Sequence, residues 1–229
     1  MLLLSDPTLL DIPVTECGDD LVDIRTAPDL LLDRRKEDPE GAWATLRRGV
    51  LDRLVVAQRA LPDGIRILVV EGHRPVTLQH RYFDERCQGL AGQHPHWSVQ
   101  RVHVEASKHI SPPAVAPHPC GAAVDLTLVQ DGQELDLGCP VNATPEASDG
   151  ACFTDSGNIT AQARWWRDTL GTALTRAGMV NYPPEWWHWS FGDRYWAAVT
   201  GAESAIYSPR GSRGRTSALT SVDESAHRH

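Results

Sequence analysis

His118-Pro-Cys-Gly-Ala-Ala-Val-Asp125 and Glu185-Trp-Trp-His188 together supply two imidazoles, a carboxylate that could join them as a ligand, and a second carboxylate left over. A hydrolytic zinc ion needs such a set: three protein ligands, a fourth position for water whose pKa falls to about 7 on the metal, and a base for that water's proton. In the first stretch a histidine precedes Gly121, where the backbone can turn closely, and Asp125 follows on the outgoing segment. One turn can therefore bring both to a single ion. Taken alone, this spacing arises by chance in many chains, and Asp125 would be an edge carboxylate.

The second stretch shifts the balance. Glu185 and His188 sit among Trp186, Trp187 and Trp189, where an ionised carboxylate is costly unless a cation or a proton compensates it. The competing structural reading pairs Glu185 with an arginine such as Arg194 and satisfies His188 with a backbone carbonyl. A regular strand would send Glu185 and His188 to opposite faces. Either Pro183-Pro184 bends the chain, or Glu185 reaches over the metal from the side.

The other histidines are weaker candidates. His227 and His229 belong to the tail, and His73 could be a wall or a surface residue. His94-Pro-His96 has a chelating spacing but no carboxylate at a defined distance, and His103 and His109 lie in an irregular region. The five cysteines are an odd set with no Cys-x-x-Cys spacing, which argues against a disulfide framework and against a cysteine-only zinc cluster. Cys120 reads as a small thiol in a tight turn, and Cys139 and Cys152 could bridge across the loop between them.

Several elements must position these residues. From Gly41 to Ala60 the apolar positions Trp43, Leu46, Val50, Leu54 and Val55 recur at steps of three and four, predicting an amphipathic helix. Pro62-Asp63-Gly64 breaks it, and Ile65 to Val70 reads as a buried strand. Pro75 opens a second helix through Arg86, leaving Arg74 at the strand's end. Residues 92–117 show no sustained period and read mostly as loop. Gly121 to Val129 predicts a strand with Val124, Leu126 and Leu128 on one face and Asp125 and Thr127 on the other. Residues 130–157 form a long turn-rich excursion. Asn158 or Thr160 then caps a helix to Arg176 with Trp165, Leu170, Ala173 and Leu174 in its buried stripe. Trp186 to Phe191 reads as a strand closing the same sheet.

The expected fold class is α+β, a single domain with a mainly antiparallel central sheet flanked by helices. The domain is expected over residues 1–207, and the Ser-, Arg- and Gly-rich segment 208–229 is expected to be a disordered tail. A chain of 229 residues, 41% hydrophobic and 23% charged, is of ordinary globular composition. Its net charge of -8 offers no basic surface for nucleic acid or acidic lipid, so a small soluble substrate is expected. The start lacks a basic segment followed by a long apolar run, which favours a cytoplasmic protein that neither enters nor spans a membrane. No feature of the chain sets an oligomeric state.

Three elements in order, Glu71-Gly-His-Arg74-Pro75, the His118 to Asp125 segment continuing Leu-Thr-Leu, and Glu185-Trp-Trp-His188, resemble the zinc D-alanyl-D-alanine dipeptidases. That family includes the vancomycin-resistance dipeptidase and is related to the D,D-carboxypeptidases and the hedgehog signalling domain. The resemblance spans most of the chain and implies a hedgehog/D,D-peptidase-like fold with one Zn2+ per chain. It makes His118, Asp125 and His188 the zinc ligands, Glu185 the general base and acid, and Arg74 the residue facing the transition-state oxygen. It implies cleavage of a small dipeptide, D-Ala-D-Ala first. The alternatives are a D,D-carboxypeptidase on longer wall peptides and a non-catalytic zinc-binding module; retention of Glu185 argues for an enzyme.

Two departures from the family pattern bear on substrate. Ala116 stands where the family often has serine. Asn142 falls where the dipeptidases carry an acidic residue for the substrate's ammonium, unless Asp136, Glu146 or Asp149 takes that part. Asn142 and Trp187 are the candidate substrate-binding residues.

Overall fold

The computed structural model describes residues 1–108 and 110–210. His109 and residues 211–229, including His227, His229 and most of the expected tail, lie outside the described residues. In chain order the elements are β1 (Leu21–Asp23), β2 (Leu31–Leu32), β3 (Thr45–Arg47), α1 (Arg48–Arg59), β4 (Ile65–Glu71), α2 (Val76–Gln93) and α3 (Val99–Ser107). They continue with β5 (Ala123–Gln130), β6 (Gln133–Glu134), α4 (Ala161–Arg176), β7 (Val180–Tyr182), β8 (Glu185–Ser190) and α5 (Arg194–Thr200).

Six strands form the main sheet in the order β2-β4-β5-β8-β7, with β6 also paired to β5. Only the β2–β4 pair is parallel among the described strands, so the mainly antiparallel α+β expectation holds. The alternation read in β5 is also observed. Val124, Leu126 and Leu128 enter one apolar core with Ile67 and Val69 of β4 and with Val50, Leu54, Leu170 and Leu174 of α1 and α4. Removing a Leu or Val side chain from water contributes roughly 1.5–3 kcal/mol each, so the helix-covered face anchors the sheet. Asp125 and Thr127 are buried as well, on the opposite face. That second face carries the chemistry.

Four local expectations change. The period across 41–60 joins two elements: Trp43 belongs to a short 3-10 turn, Leu46 to β3, and the helix starts only at Arg48. Trp43, Leu46, Val50 and Leu54 are all buried, the last three on one core, and a shared burial requirement mimics helical spacing. The segment read as loop contains α3, capped by the Ser98 hydroxyl accepting from the Arg101 N–H. It packs on α2, which runs on to Gln93, around Phe83, Leu90, Val102 and Ala106, a small core of its own. In α4, capped by Thr160, the buried tryptophan is Trp166, whereas Trp165 is 52% exposed. Finally, the chain after 207 begins in place: the Ser208 N–H and hydroxyl donate to Glu16, and Arg47 donates to the Ser208 carbonyl. All five cysteines are free, Cys139 and Cys152 included.

Candidate active site

The strand register builds the site. Asp125 of β5 pairs across with His188 of β8 on one side and with Glu71 of β4 on the other, so three polar side chains lie in one row over the middle of the sheet. His118 reaches the row from a 3-10 turn, His118–Cys120, that ends at Gly121 with φ +64°. A side chain is strained in that left-handed conformation, and a Cβ there would also lie 2.4 Å from Leu21. The His118 Nδ1–H donates to the Gly72 carbonyl at 2.7 Å. Because a carbonyl only accepts, the proton is on Nδ1 and Nε2 is left as a lone-pair donor facing the row. Gly72 must itself be glycine, since a Cβ would stand 2.4 Å from the Thr45 carbonyl oxygen.

The position of Glu185 is explained by an irregularity. β7 and β8 run in register from Val180↔Ser190 to Asn181↔Trp189, then slip so that Tyr182 faces Glu185 across Pro183-Pro184. The extra residues of β8 bulge, which cancels the alternation and lets Glu185 and His188 both face the cavity. The Asn181 amide holds the bulge by donating to the carbonyls of Glu185 and His188 at 3.2 and 3.0 Å. Of the two alternatives read from the sequence, a break in the strand's regularity next to Pro183-Pro184 is the one observed. The competing Glu185–Arg194 pair does not form; Arg194 instead donates to the Ala114 carbonyl.

His118, Asp125 and His188 are 4%, 2% and 4% exposed, and their nearest ligand atoms all lie within 4.8 Å of one another. Asp125 Oδ1 is 3.4 Å from His118 Nε2 and 3.0 Å from His188 Nδ1. Donors bonded at 2.0–2.1 Å to a tetrahedral zinc are about 3.4 Å apart, so the two spacings about Asp125 and the two-His, one-carboxylate donor set suit such an ion. Burial opposes ionisation of Asp125, yet the two flanking histidines overcome it and hold its carboxyl well below the ordinary carboxylate range.

Glu185 Oε2 lies 3.8 Å from His188 Nδ1 and lines the same cavity as the triad. Burial pushes its carboxyl up to about 7; the charges of Asp125 and Glu71 act in the same direction, against His188 and Arg74. A carboxyl near 7 both accepts and returns a proton at neutral pH. Arg74 lines the same cavity of about 180 Å³ as the triad and Glu185. Its Nε and Nη2 donate to the two oxygens of Glu71 at 2.7 Å each, and its Nη1 donates to Gln79 at 2.8 Å. A guanidinium has five N–H groups, so two remain for a ligand. Gln79 is pinned in turn by donating to the Ser111 carbonyl.

Glu71, Gln79 and Asn181 have no role that the sequence alone suggests. Glu71 was visible as an acidic residue three before Arg74, but only the register shows that it shares the row. Asn142 lines the cavity with φ +68°, and Ala116 lines it too. Asp136, Glu146 and Asp149 do not, and Asp136 caps its own loop at the Gly138 N–H. Trp187 lies elsewhere: at 2% exposure it belongs to the main core and not to the cavity wall, because the β8 bulge turns its ring inward.

Residues 39–202 match the protein family described as D-ala-D-ala dipeptidase, peptidase family M15. The chain belongs to this family. It is 31% identical over 217 residues to a D-alanyl-D-alanine dipeptidase of Synechocystis sp., a span covering 82% of this chain and 88% of that protein. The resemblance carried by the three motifs is thus correct, and the chain is a peptidase of family M15. Among solved structures it is similar to the LdcB LD-carboxypeptidase at 16% identity and a TM-score of 0.47, covering 83% of this chain and 76% of that one. It is also similar to a Glu-to-Ala mutant of the vancomycin-resistance D,D-pentapeptidase VanY in complex with Zn(II), at 17% identity and a TM-score of 0.40, covering 86% and 96%.

Proposed function

We propose that this M15 member is a zinc peptidase, one Zn2+ per chain, that hydrolyses a small D,D-dipeptide of the D-Ala-D-Ala type. His118 Nε2, Asp125 Oδ1 and His188 Nδ1 would hold the metal, and Glu185 is the general base and acid. The observation that carries this reading is the grouping of those three residues' donor atoms within 4.8 Å of one another, with Asp125 Oδ1 3.4 and 3.0 Å from the two imidazoles and the Glu185 carboxylate 3.8 Å from His188 in the same cavity.

When bound, zinc supplies an acidified water and polarises the amide carbonyl. Glu185 accepts the water's proton as oxygen adds to the carbonyl carbon, then delivers it to the leaving nitrogen, so one carboxylate serves both halves of the reaction. Arg74, fixed by Glu71 and Gln79 on the cavity wall, keeps two N–H groups to meet the charge growing on the carbonyl oxygen. His118 is kept in the ligating tautomer by Gly72. The cavity's small volume, about 180 Å³, supports a dipeptide over a wall polymer.

The test is hydrolysis of D-Ala-D-Ala, L-Ala-L-Ala and a D-Ala-terminated pentapeptide by the zinc-loaded protein, with and without chelator. Cleavage confined to D,D-dipeptides and abolished by chelator is expected. Cleavage of the pentapeptide in preference would make it a carboxypeptidase, and zinc binding with no cleavage of any peptide would refute the catalytic assignment.

A further inference from the structure

A dipeptide carries its carboxylate on the carbon next to the scissile nitrogen, and a cavity that selects for it needs a cation which the protein does not already neutralise. Among the described residues, three cationic side chains line the cavity: Lys36, Arg74 and Lys108. Arg74 is matched by Glu71 through two hydrogen bonds, and its free N–H groups are assigned above to the reacting oxygen. Lys108 is paired with Glu105 at 2.8 Å. Lys36 has no carboxylate partner among the described residues, although the two cations before it are both paired, Arg34 with Glu37 and Arg35 with Asp33 and Glu134.

The loop that presents Lys36 is held on both sides. β2 runs parallel to β4 with Leu32 beside Val69, and the Asp33 N–H continues that pairing by donating to the Val69 carbonyl at 2.8 Å. The chain therefore leaves β2 at the end of β4 that leads to Glu71 and Arg74. Before Lys36, Arg35 donates to Asp33 and Glu134, and Trp43 Nε1 donates to the Asp33 carbonyl. After it, the Glu37 N–H closes a turn onto the Arg34 carbonyl, and Asp38 accepts from the Trp43 N–H. Arg34 and Arg35 are exposed, whereas Lys36 is half-buried against the cavity. A loop fixed before the substrate arrives lowers the ordering cost of binding.

Resting on the peptidase reading above, we propose that Lys36 is a specificity-determining residue whose ammonium binds the terminal carboxylate of the substrate's leaving residue, so that the bond cleaved must be the last in the chain. The two unshared cationic contacts then divide the substrate between them, Lys36 taking the carboxylate and Arg74 the amide oxygen. A peptide whose leaving residue is amidated loses the ionic contact and sets a neutral group against an uncompensated ammonium.

The test pairs two ligands with three proteins. D-Ala-D-Ala and D-alanyl-D-alaninamide differ only at the terminal carboxylate, and wild type, Lys36→Met and Lys36→Arg differ only at the anchor. Affinity is measured by calorimetry on zinc-loaded proteins that also carry Glu185→Gln, and KM and kcat are measured without that change. With Lys36 present the acid should bind about ten- to a hundredfold tighter than the amide, the contribution of one charge-assisted hydrogen bond. Lys36→Met should remove most of that preference by weakening the acid, raising KM for D-Ala-D-Ala far more than it lowers kcat, and Lys36→Arg should restore most of it. Equal or undetectable binding of acid and amide with Lys36 present, or a Lys36→Met protein that keeps the preference, overturns the proposal. A preference that depends on Lys36 while neither peptide is hydrolysed upholds the anchor and refutes the peptidase reading instead.

Discussion

Glu71→Gln is the most informative change outside the metal ligands, because it preserves shape while removing the charge that orients Arg74. Glu71 is 3% exposed and accepts two charge-assisted hydrogen bonds of 2.7 Å from Arg74, whose side chain is 13% exposed. Burial raises its carboxyl, but Arg74 outweighs this and keeps it below the usual glutamate range. Glutamine retains one acceptor oxygen and turns an NH2 group toward the guanidinium. The loss is one charge-assisted hydrogen bond, about 1.5–3 kcal/mol, plus the cost of an uncompensated cation, for which breaking buried pairs sets an upper range of about 3–5 kcal/mol. Gln79 and cavity water soften that second contribution, so a destabilisation of about 2–4 kcal/mol is expected, which at about 2–4 °C per kcal/mol lowers Tm by roughly 5–15 °C. Since a misdirected oxyanion donor costs about 10²–10³ in rate, kcat/KM should fall by about 10²-fold with zinc content unchanged. Thermal unfolding, metal analysis and steady-state kinetics on one preparation check this. A variant that loses stability but keeps full kcat/KM would show that Glu71 is structural only and that Arg74 does not act on the reacting oxygen.

Two further outcomes follow from buried arginines. Arg167, with no carboxylate partner among the described residues, donates to the carbonyls of Leu137, Ala151 and Phe153 and so ties down the loop that carries Asn142. Arg167→Met should cost about 2–4 kcal/mol and raise KM several-fold with little change in kcat, because unpaired buried carbonyls cost about 1–3 kcal/mol each before water reaches them; an unchanged KM would detach the loop from substrate binding. Burial raises the Glu16 carboxyl, but the Ser208 hydroxyl and N–H, the Gly18 N–H and the fully buried Arg47 together bring it down to about 2 from an ordinary 4.5. A depressed carboxylate stabilises the fold fully above pH 4.5, and that contribution disappears as pH falls from 4.5 towards 2. Allowing for the 31% exposure of the Glu16 side chain, the loss is about 2 kcal/mol. Urea titrations should show it in the wild type and not in Glu16→Gln, and parallel pH profiles would contradict the assignment.

The parts of the site that were legible in sequence are those held within one short stretch. His118 and Asp125 flank a glycine that forces a turn, and His188 follows Glu185 in an aromatic run whose burial demands a counter-charge. Those constraints are local, so residue types and spacing express them. What escaped depends on pairing between distant strands. The Glu71–Asp125–His188 row exists only through the β4–β5–β8 register, and the β8 bulge that sends Trp187 into the core rests on Asn181, a residue with no chemical signature of its own. α3 escaped because it buries only Val102 and Ala106, too few to set a period amid surface histidines. The split of the first expected helix into β3 and α1 arose in the opposite way, from two different elements burying residues against one core.

The central claim is a single metal held by His118, Asp125 and His188 with Glu185 as the proton carrier. It is tested most directly by measuring zinc per chain and D,D-peptidase turnover together in the wild type and in Glu185→Gln. One zinc per chain in both is predicted, with turnover in the variant reduced by about 10²–10⁴-fold, the range of a lost general acid–base. A Glu185→Gln protein that retains wild-type turnover, or a wild type that turns over equally well without metal, would contradict it.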